Sequence, residues 1–215
     1  FDIAQVEPDG ANGPSGSTVV DFMAMVPGTY SVEGDTQIIA DSISTTNSVG
    51  RFGGSGGWES PTFPSDFNNP PAVLAQVQTM NSESGSPAPP EGVSEPWLVS
   101  AMRNVGSGGL DLALDRTETD TGTIDQAETI GYLAIEAGRS GTLTKDIDFE
   151  SIRSGNLIRG HDNGCFGVNF SQGYASEPLV VATQNTRDGG DGGWIRRCAL
   201  STSSVGLLVD EDQAN

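Results

Sequence analysis

Residues 69–79 read NPPAVLAQVQT, and residues 176–186 repeat the pattern as SEPLVVATQNT. In both segments proline precedes an apolar run, and alanine, glutamine and threonine follow. A short apolar run bounded by proline and turn residues is typical of a β-strand. We therefore expect the two segments to be equivalent strands in two copies of one folding unit.

The repetition extends beyond this pair of segments. An aromatic pair with the same spacing precedes each segment, and a stretch that begins with tryptophan follows each one. The matched positions are Phe63 with Phe170, Phe67 with Tyr174, and, without a gap, residues 97–110 with residues 194–207. Self-similarity of this kind indicates a repeat protein.

The start of the chain resembles the end of the complete repeat, since residues 19–25 read VVDFMAM and residues 129–135 read TIGYLAI. We therefore expect the repeats to be circularly offset, so that the terminal repeats are incomplete. Residues 1–34 are predicted to be the last strands of a preceding repeat or a donor segment. Residues 35–138 are predicted to be a complete β-sandwich, and residues 139–215 a second β-sandwich that lacks its final strand.

Alternating apolar and polar side chains predict strands along the chain, and no segment has a sustained helical period. We predict an all-β fold of tandem antiparallel β-sandwich repeats with about six strands each. The predicted strands are 1–5, 19–26, 36–43, 62–67, 73–79, 97–103, 110–114, 130–136, 141–149, 167–170, 179–186, 194–200 and 207–211.

Composition excludes several classes of function. The 215 residues include 29 Asp and Glu against 10 Lys and Arg, which gives a formal net charge of −19. A surface this acidic repels nucleic-acid phosphates and anionic membranes, so we expect no nucleic-acid partner. No run approaches the roughly 20 apolar residues of a membrane span, so we expect no membrane insertion. Excess carboxylate is typical of a secreted or cell-surface protein, and we expect that location.

The same elements resemble the H-type lectin domain. The residues that carry the resemblance are Phe63, Phe67, the strand at 71–79, the strand at 97–105, the sequence GLDL at 109–112 and the sequence GYLAI at 131–135. Residues 128–138, ETIGYLAIEAG, are also similar to a strand that ends tandem repeats in large bacterial surface proteins. The resemblance to H-type lectins implies compact β-sandwiches that often trimerise and bind sugars such as N-acetylgalactosamine near the subunit interface, and the resemblance to the surface repeats implies a bacterial origin.

The resemblance also implies a sugar site, and with it glycans as partners. The aromatic residue of the final strand that approaches the sugar in that family corresponds to Tyr132. Trp97 and Trp194 stand near the position where the family has an arginine, and Arg103 lies later on the same strand as Trp97. Large aromatic side chains dominate sandwich cores, so we expect the two tryptophans to be core residues.

Cys165 and Cys198 are the two cysteines of the chain. In the repeat alignment they match Trp58 and Ala101, so one copy has a large and a small apolar residue where the other has two cysteines. Positions in contact can be bridged if their Cα atoms lie within about 7 Å. We predict a disulfide, which fits an exported protein. The alternative is a pair of buried free thiols.

Candidate chemistry elsewhere is sparse. Asp188 and Asp191 flank glycines in a turn, and turn carboxylates and carbonyls can supply the six to eight oxygens of a calcium site. The alternative for these acids is a solvated acidic face, and we expect no other cofactor. His161 is the sole histidine and has no nucleophile motif beside it, so we expect no enzyme activity.

A sandwich that lacks a strand exposes apolar side chains and unpaired backbone groups. Either the chain is part of a longer tandem array, or a neighbouring copy supplies the strand. The second alternative predicts a head-to-tail homopolymer, a surface filament with a structural or adhesive role. The inserted side chains would be Val20, Phe22, Ala24 and Val26, and the acceptor groove would be lined by Val180, Trp194, Leu207 and Val209. A carbohydrate-binding module and a phage or virion fibre are the alternatives.

Overall fold

The structure is a computed structural model. It describes residues 23–32, 35–50, 57–82, 96–142, 147–188 and 193–211, without the side chains at 117–121, 161 and 211. These residues form an all-β fold in which the one helical element is a 3₁₀ turn, His161–Asn163. The strands are β1 Gly28–Val32, β2 Thr36–Thr45, β3 Ser48–Val49, β4 Ala72–Val77, β5 Pro96–Arg103, β6 Asp111–Thr121, β7 Glu128–Ile135, β8 Arg139–Thr142, β9 Asp148–Ser151, β10 Phe166–Asn169, β11 Gly193–Leu200 and β12 Ser204–Glu211.

Strands β1 to β7 form a sandwich of two sheets. One sheet has the order β1-β2-β7-β4 and the other has the order β3-β6-β5. All of these pairings are antiparallel except that of β3 with β6. Strand β7 therefore lies between β2 and β4, and it fills the space between two strands that are far apart in the chain.

Alternation along the strands places one face of each sheet in a common core. On β7 the side chains of Ile130, Tyr132 and Ala134 are buried, as expected for every second residue of a strand. Burial of this apolar surface contributes about 25 cal/mol per Å². The core residues are Ile39, Phe63, Phe67, Val73, Ala75, Met102, Val105, Leu110, Leu112, Leu114, Ile130, Tyr132 and Ala134.

The later strands form a smaller and more open part. Strands β10, β12 and β11 make a three-stranded antiparallel sheet, and β8 and β9 make a separate hairpin. Among the described residues after 138, the buried apolar side chains are Val205 and Leu207. Large apolar side chains nearby remain exposed, since Leu179 is 71% exposed and Val181 is 57% exposed.

The prediction of an all-β fold is confirmed, but two predicted strands are absent, and a third, 19–26, forms no strand over its described residues 23–26. Residues 62–67 form only an isolated bridge, between Thr62 and Gly109. Residues 179–186 have strand-like composition but form no strand. The predicted strand 141–149 is instead the end of β8 and the start of β9, and the predicted strand 1–5 lies outside the described residues.

The first sandwich includes a strand that precedes residue 35, where the sequence analysis predicted the complete repeat to begin. Strand β1 pairs along its whole length with β2, from Gly28 opposite Ala40 to Val32 opposite Thr36. Among the described residues the sheet therefore begins at Gly28, and β1 covers the edge of β2 that would otherwise be unpaired.

Two hairpins share a pattern of backbone hydrogen bonds and ring contacts. The amides of Phe63 and Phe67 donate to carbonyls of the β5–β6 turn, and those of Phe170 and Tyr174 donate to the β11–β12 turn, all at 2.9 Å. Each aromatic pair packs edge to face, with ring centroids 5.2 Å and 5.3 Å apart. The acceptors are Gly108, Ser107, Ser203 and Thr202 in that order. The equivalent acceptors, Gly108 with Ser203 and Ser107 with Thr202, lie 95 positions apart in the sequence. The gap-free alignment that matches Trp97 with Trp194 predicts a separation of 97 positions.

Candidate functional site

An open cleft lies between the two parts of the molecule, with a volume of about 1450 Å³. Strand β9, the sheet of β10, β12 and β11, and residues 178–188 form most of its walls. Its apolar lining includes Phe149, Val168, Val180, Val205, Leu207 and Val209. Apolar side chains of β9, β10 and β12 thus line much of the cleft.

Residues 179–186 form one wall of the cleft and pair with no strand among the described residues. Alternate side chains of this wall differ in environment. Val180 is half-buried, Leu179 and Val181 are mostly exposed, and all three line the cleft. The segment therefore runs along the cleft without the backbone hydrogen bonds of a sheet neighbour within the described chain.

The other edge of this wall is fixed to the first sandwich by side chains. The backbone amide of Val73 on β4 donates to Asn185 Oδ1 at 3.0 Å, and Asn185 Nδ2 donates to the Val73 carbonyl at 2.8 Å. Thr183 Oγ1 donates to the same carbonyl at 2.7 Å. The Asn185 and Thr183 side chains therefore satisfy the backbone amide and carbonyl of Val73 at the outer edge of β4.

An ion pair holds the end of the same wall. Arg187 Nε and its second nitrogen Nη2 donate to the two carboxylate oxygens of Asp115 on β6, at 2.9 Å and 3.2 Å. Both side chains are largely buried, with 13% and 6% exposure. A two-point pair of this kind is strong and directional, so it fixes the wall against the first sandwich.

Arg153 adds a charge beside the cleft. Its guanidinium donates to the Val105 carbonyl at 3.1 Å, which joins the segment after β9 to the core of the first sandwich. Burial lowers the pKa of Arg153 below its ordinary value. The wall after β9 and the wall at 179–186 are thus both anchored to the first sandwich.

The predicted acceptor residues do not all lie in the cleft. Val180, Leu207 and Val209 line it. Trp194 does not, because its ring packs edge to face against Trp97 with the centroids 5.5 Å apart. Both tryptophans are half-buried rather than part of the buried core.

Of the predicted donor residues, Val20 and Phe22 lie outside the described residues. Ala24 is exposed and Val26 is 75% exposed. Residues 23–26 form no strand, although Tyr30 Oη donates to the Val26 carbonyl at 2.6 Å.

The two residues assigned to a sugar site lie in different environments. Tyr132 belongs to the buried core, and burial, followed by the charge of Asp41, raises its pKa to about 12. Its ring therefore offers no free face to a sugar. Arg103 is at the surface, where its guanidinium lies 4.3 Å from the ring centroid of Trp58 and pairs with Asp111 at 3.1 Å.

The predicted disulfide between Cys165 and Cys198 is present, with Cα atoms 6.0 Å apart. Cys165 precedes β10 and Cys198 lies at a bulge in β11, so the bond spans the two outer strands of the sheet. Gly206 on the central strand lies beneath it, because a Cβ atom there would meet the sulfur of Cys165.

The described residues supply little for a metal. Asp188 accepts a hydrogen bond from Asn156 Nδ2 at 2.5 Å, and Asp191 lies outside the description. Within the described ranges no three His, Cys, Asp or Glu residues come close enough to hold an ion. Nor does any helix in that part of the chain have the length and apolar character to cross a membrane.

The sequence analysis missed the polar residues that anchor the walls of the cleft: Asn185, Thr183, Arg187, Asp115 and Arg153. Thr183 and Asn185 gave no signal of their own, since the first copy has the polar residues Gln76 and Gln78 at the aligned positions. Their partners could not be read from the sequence, because the Val73–Asn185 contact spans 112 positions.

No family model, curated protein or solved structure matches the chain.

Proposed function

We propose that this chain is a non-catalytic structural or adhesive protein of the cell exterior that assembles by inserting a β-strand into the cleft. The observation that carries the proposal is the cleft itself, with an extended apolar wall that lacks a strand partner among the described residues. Main-chain hydrogen bonds and alternate side-chain pockets would then join the copies.

The first sandwich provides the template for the insertion. There β7 lies between β2 and β4, with Ala134 opposite Val73 and Tyr132 opposite Ala75. The shared hydrogen bonds of the two aromatic pairs and turns support the proposal that the second part is a copy of the first. In that copy β9 and residues 179–186 take the places of β2 and β4.

The register follows from the two sequence alignments. Val180 and Ala182 replace Val73 and Ala75, and residues 19–25 replace residues 129–135. The inserted strand would therefore place Ala24 opposite Val180 and Phe22 opposite Ala182. Val20 and Val26 would continue the same face, which gives four apolar side chains directed into the cleft.

A deletion tests the proposal. Removing residues 1–28 should abolish polymerisation, and electron microscopy and sedimentation velocity should show a single species. A synthetic peptide of residues 17–28 should then bind the truncated chain in calorimetry, whereas the same peptide with Phe22→Asp should not. Unchanged polymerisation of the truncated chain would contradict strand insertion.

The setting is part of the same proposal. The disulfide fits an oxidising compartment, so we place the assembled chain outside the cell, on a bacterial surface, with an H-type lectin-like sandwich as its repeat. A phage or virion fibre built in the same way is the alternative setting.

A second candidate function, glycan binding, rests on the surface group of Trp58, Arg103 and Asp111. An aromatic face beside a carboxylate is a suitable platform for a sugar ring, although here Arg103 covers the ring at 4.3 Å. A glycan array distinguishes the two functions. Selective binding that is lost in a Trp58→Ala variant would favour a lectin, and absence of selective binding would leave the structural role.

A further inference from the structure

We infer that the disulfide of Cys165 and Cys198 is a redox-sensitive clamp on the sheet of β10, β12 and β11, which forms one wall of the cleft. Its counterpart in the first sandwich is a non-covalent clamp, the group of Trp58, Arg103 and Asp111. The clamp acts within a single chain, so the inference goes beyond the proposed assembly.

The hydrogen-bonded ladders on which the two clamps lie have the same layout. In each, a leucine of the central strand faces one residue on either side. The rows are Glu59, Leu112 and Met102 in the first sandwich, and Phe166, Leu207 and Arg197 in the second part. The two ladders therefore place Leu112 of β6 and Leu207 of β12 at equivalent positions.

A parallel bridge beside each ladder supports this correspondence. Two positions after the central leucine, Leu114 on β6 bridges Ser48, and Val209 on β12 bridges Gly160. The amide before each bridge is also matched, since Leu114 donates to the Asn47 carbonyl at 3.0 Å and Val209 donates to the Arg159 carbonyl at 2.9 Å. The correspondence of β6 with β12 thus holds on both sides of the central strand.

The row next to the leucines contains both clamps. Each of its residues is one position away from a residue of the leucine row. They are Trp58, Asp111 and Arg103 in the first sandwich, and Cys165, Gly206 and Cys198 in the second part. The structure therefore matches Cys198 with Arg103, whereas the gap-free alignment predicts Ala101 as its match.

The two clamps cross the central strand by different chemistry. The Arg103 guanidinium lies 4.3 Å from the ring centroid of Trp58 and pairs with Asp111 at 3.1 Å, so it joins the segment at 58–59 to β5 across β6. A guanidinium over an aromatic face and beside a carboxylate is attracted by both. The disulfide joins β10 to β11 across β12, over Gly206.

Reduction leaves the second part without an equivalent clamp. The row then consists of two thiols and a glycine, which form neither an ion pair nor a cation–π contact. A dithiol reductant transfers two electrons and two protons to the bond between Cys165 and Cys198, and closes to its own disulfide. The 33 residues of sequence separation between the cysteines then gain conformational freedom in the unfolded chain.

The second part has little else to hold this sheet. Its buried apolar side chains among the described residues after 138 are Val205 and Leu207, whereas the first sandwich has a buried core of 13 residues. A small core leaves a fold dependent on covalent links. Both cysteines are exposed, so a reductant in solution can reach them. Because Val205 and Leu207 also line the cleft, loss of the clamp should loosen that wall.

Hydrogen exchange of the unaltered chain, oxidised and reduced, tests the clamp. After reduction, amides of β11 and β12 should exchange at least about 10-fold faster, because local opening of that sheet becomes easier. Amides of β2 and β7 in the first sandwich are the internal control and should keep their rates. Equal rates in the two redox states would overturn the inference, and so would an equal acceleration in both parts.

Transfer of the disulfide to the first sandwich tests the correspondence. The variant Trp58→Cys, Arg103→Cys, Asp111→Gly should form a second disulfide, which peptide mapping detects as a link between positions 58 and 103 beside the native link. The matched control is Trp58→Cys, Ala101→Cys, Asp111→Gly, which follows the gap-free alignment and should keep its new thiols free.

Free thiols at positions 58 and 103 in the first variant would overturn the correspondence, and a link between positions 58 and 101 in the control would do the same. The exchange measurement uses the unaltered chain, so it stands even if a variant fails to fold. Polymerisation plays no part in either experiment, and the deletion of residues 1–28 tests the proposed function separately.

Discussion

Gly206 illustrates how one residue is determined by a covalent bond elsewhere. The disulfide of Cys165 and Cys198 passes over the central strand β12 at this position, and a Cβ atom on Gly206 would meet the Cys165 sulfur and lie 3.0 Å from Ala199 Cβ. The absence of a side chain lets the bond join the outer strands. The disulfide thus requires a residue without a side chain at position 206 on the central strand. Cys165 and Gly206 lie 41 positions apart in the sequence.

We therefore expect Gly206→Ala to destabilise the chain by about 1–3 kcal/mol, the usual cost of overpacking. Urea unfolding monitored by tryptophan fluorescence measures the change. The cost should fall by at least about 0.5 kcal/mol when Cys165 and Cys198 are both replaced by alanine, because the main obstacle is then gone. Gly167→Ala is the control, since a Cβ atom there meets nothing within 4 Å. Equal costs in both backgrounds would contradict this account.

Asp111 makes stability depend on pH. Burial alone would raise its pKa, but hydrogen bonds from three neighbours lower the pKa below its ordinary value. The donors are the Ser60 hydroxyl at 2.7 Å, Asn104 Nδ2 at 2.7 Å and Arg103 Nε at 3.1 Å. A carboxylate with a lowered pKa in the folded state stabilises the fold above its ordinary pKa, and this contribution is lost as pH falls through the lowered value.

Acid titration of the free energy of unfolding should show this dependence. The unaltered chain should lose stability as the pH falls below about 4, the ordinary pKa of aspartate. Asp111→Asn should be less stable at pH 7 and should show a shallower decline in acid, because its side chain does not titrate. Asp66→Asn, at an exposed position, is the matched control. An unchanged acid slope in Asp111→Asn would contradict the expectation.

At the scale of elements, alternation in the sequence predicts those strands that bury one face against neighbouring elements. Strand β4 has clear alternation, and β4 and β7 direct every second residue into the core through Val73, Ala75, Ile130, Tyr132 and Ala134. Residues 62–67 show the limit of the pattern. Their apolar residues are Phe63 and Phe67, which pack in the core, but Pro64 has no amide to donate to a ladder. The apolar residues of this segment therefore indicate burial in the core and not a β-strand.

Residues 179–186 show a different limit. Their composition is similar to that of β4, but a strand also requires a neighbouring strand that exchanges backbone hydrogen bonds with it. Within the described chain that neighbour is missing on the cleft side, and on the other side the Asn185 side chain bonds Val73. The sequence could indicate the wall of the cleft but not the polar residues that fix it, since those contacts join distant parts of the chain.

The edge of β4 provides the prediction at this scale. Asn185→Ala removes one acceptor and one donor from the Val73 backbone, which is buried, so we expect a loss of about 1–3 kcal/mol in the free energy of unfolding. Chemical denaturation measures it. Asn169→Ala, at an exposed position on β10, should change stability by less than about 0.5 kcal/mol. Equal effects of the two substitutions would show that the Asn185 contacts contribute nothing.

At the scale of the whole molecule, two kinds of force act in opposition. The chain carries a net charge of −19, so copies repel one another and remain apart at low ionic strength. The cleft is mostly apolar, and burial of apolar surface is not weakened by screening of charge. The extent of the proposed assembly through the cleft should therefore be limited by charge repulsion between copies rather than by the free energy of strand insertion.

We therefore expect salt to promote assembly. Raising sodium chloride from about 0.05 M to about 0.5 M shortens the screening length from roughly 14 Å to roughly 4 Å, which reduces repulsion between copies. The concentration at which polymer first appears in light scattering should fall as salt rises. The chain without residues 1–28 is the control, and it should show no polymer at either concentration. If salt raised this threshold concentration instead, ion pairs between copies would have to provide the main attraction. The apolar cleft would then not be the interface between copies.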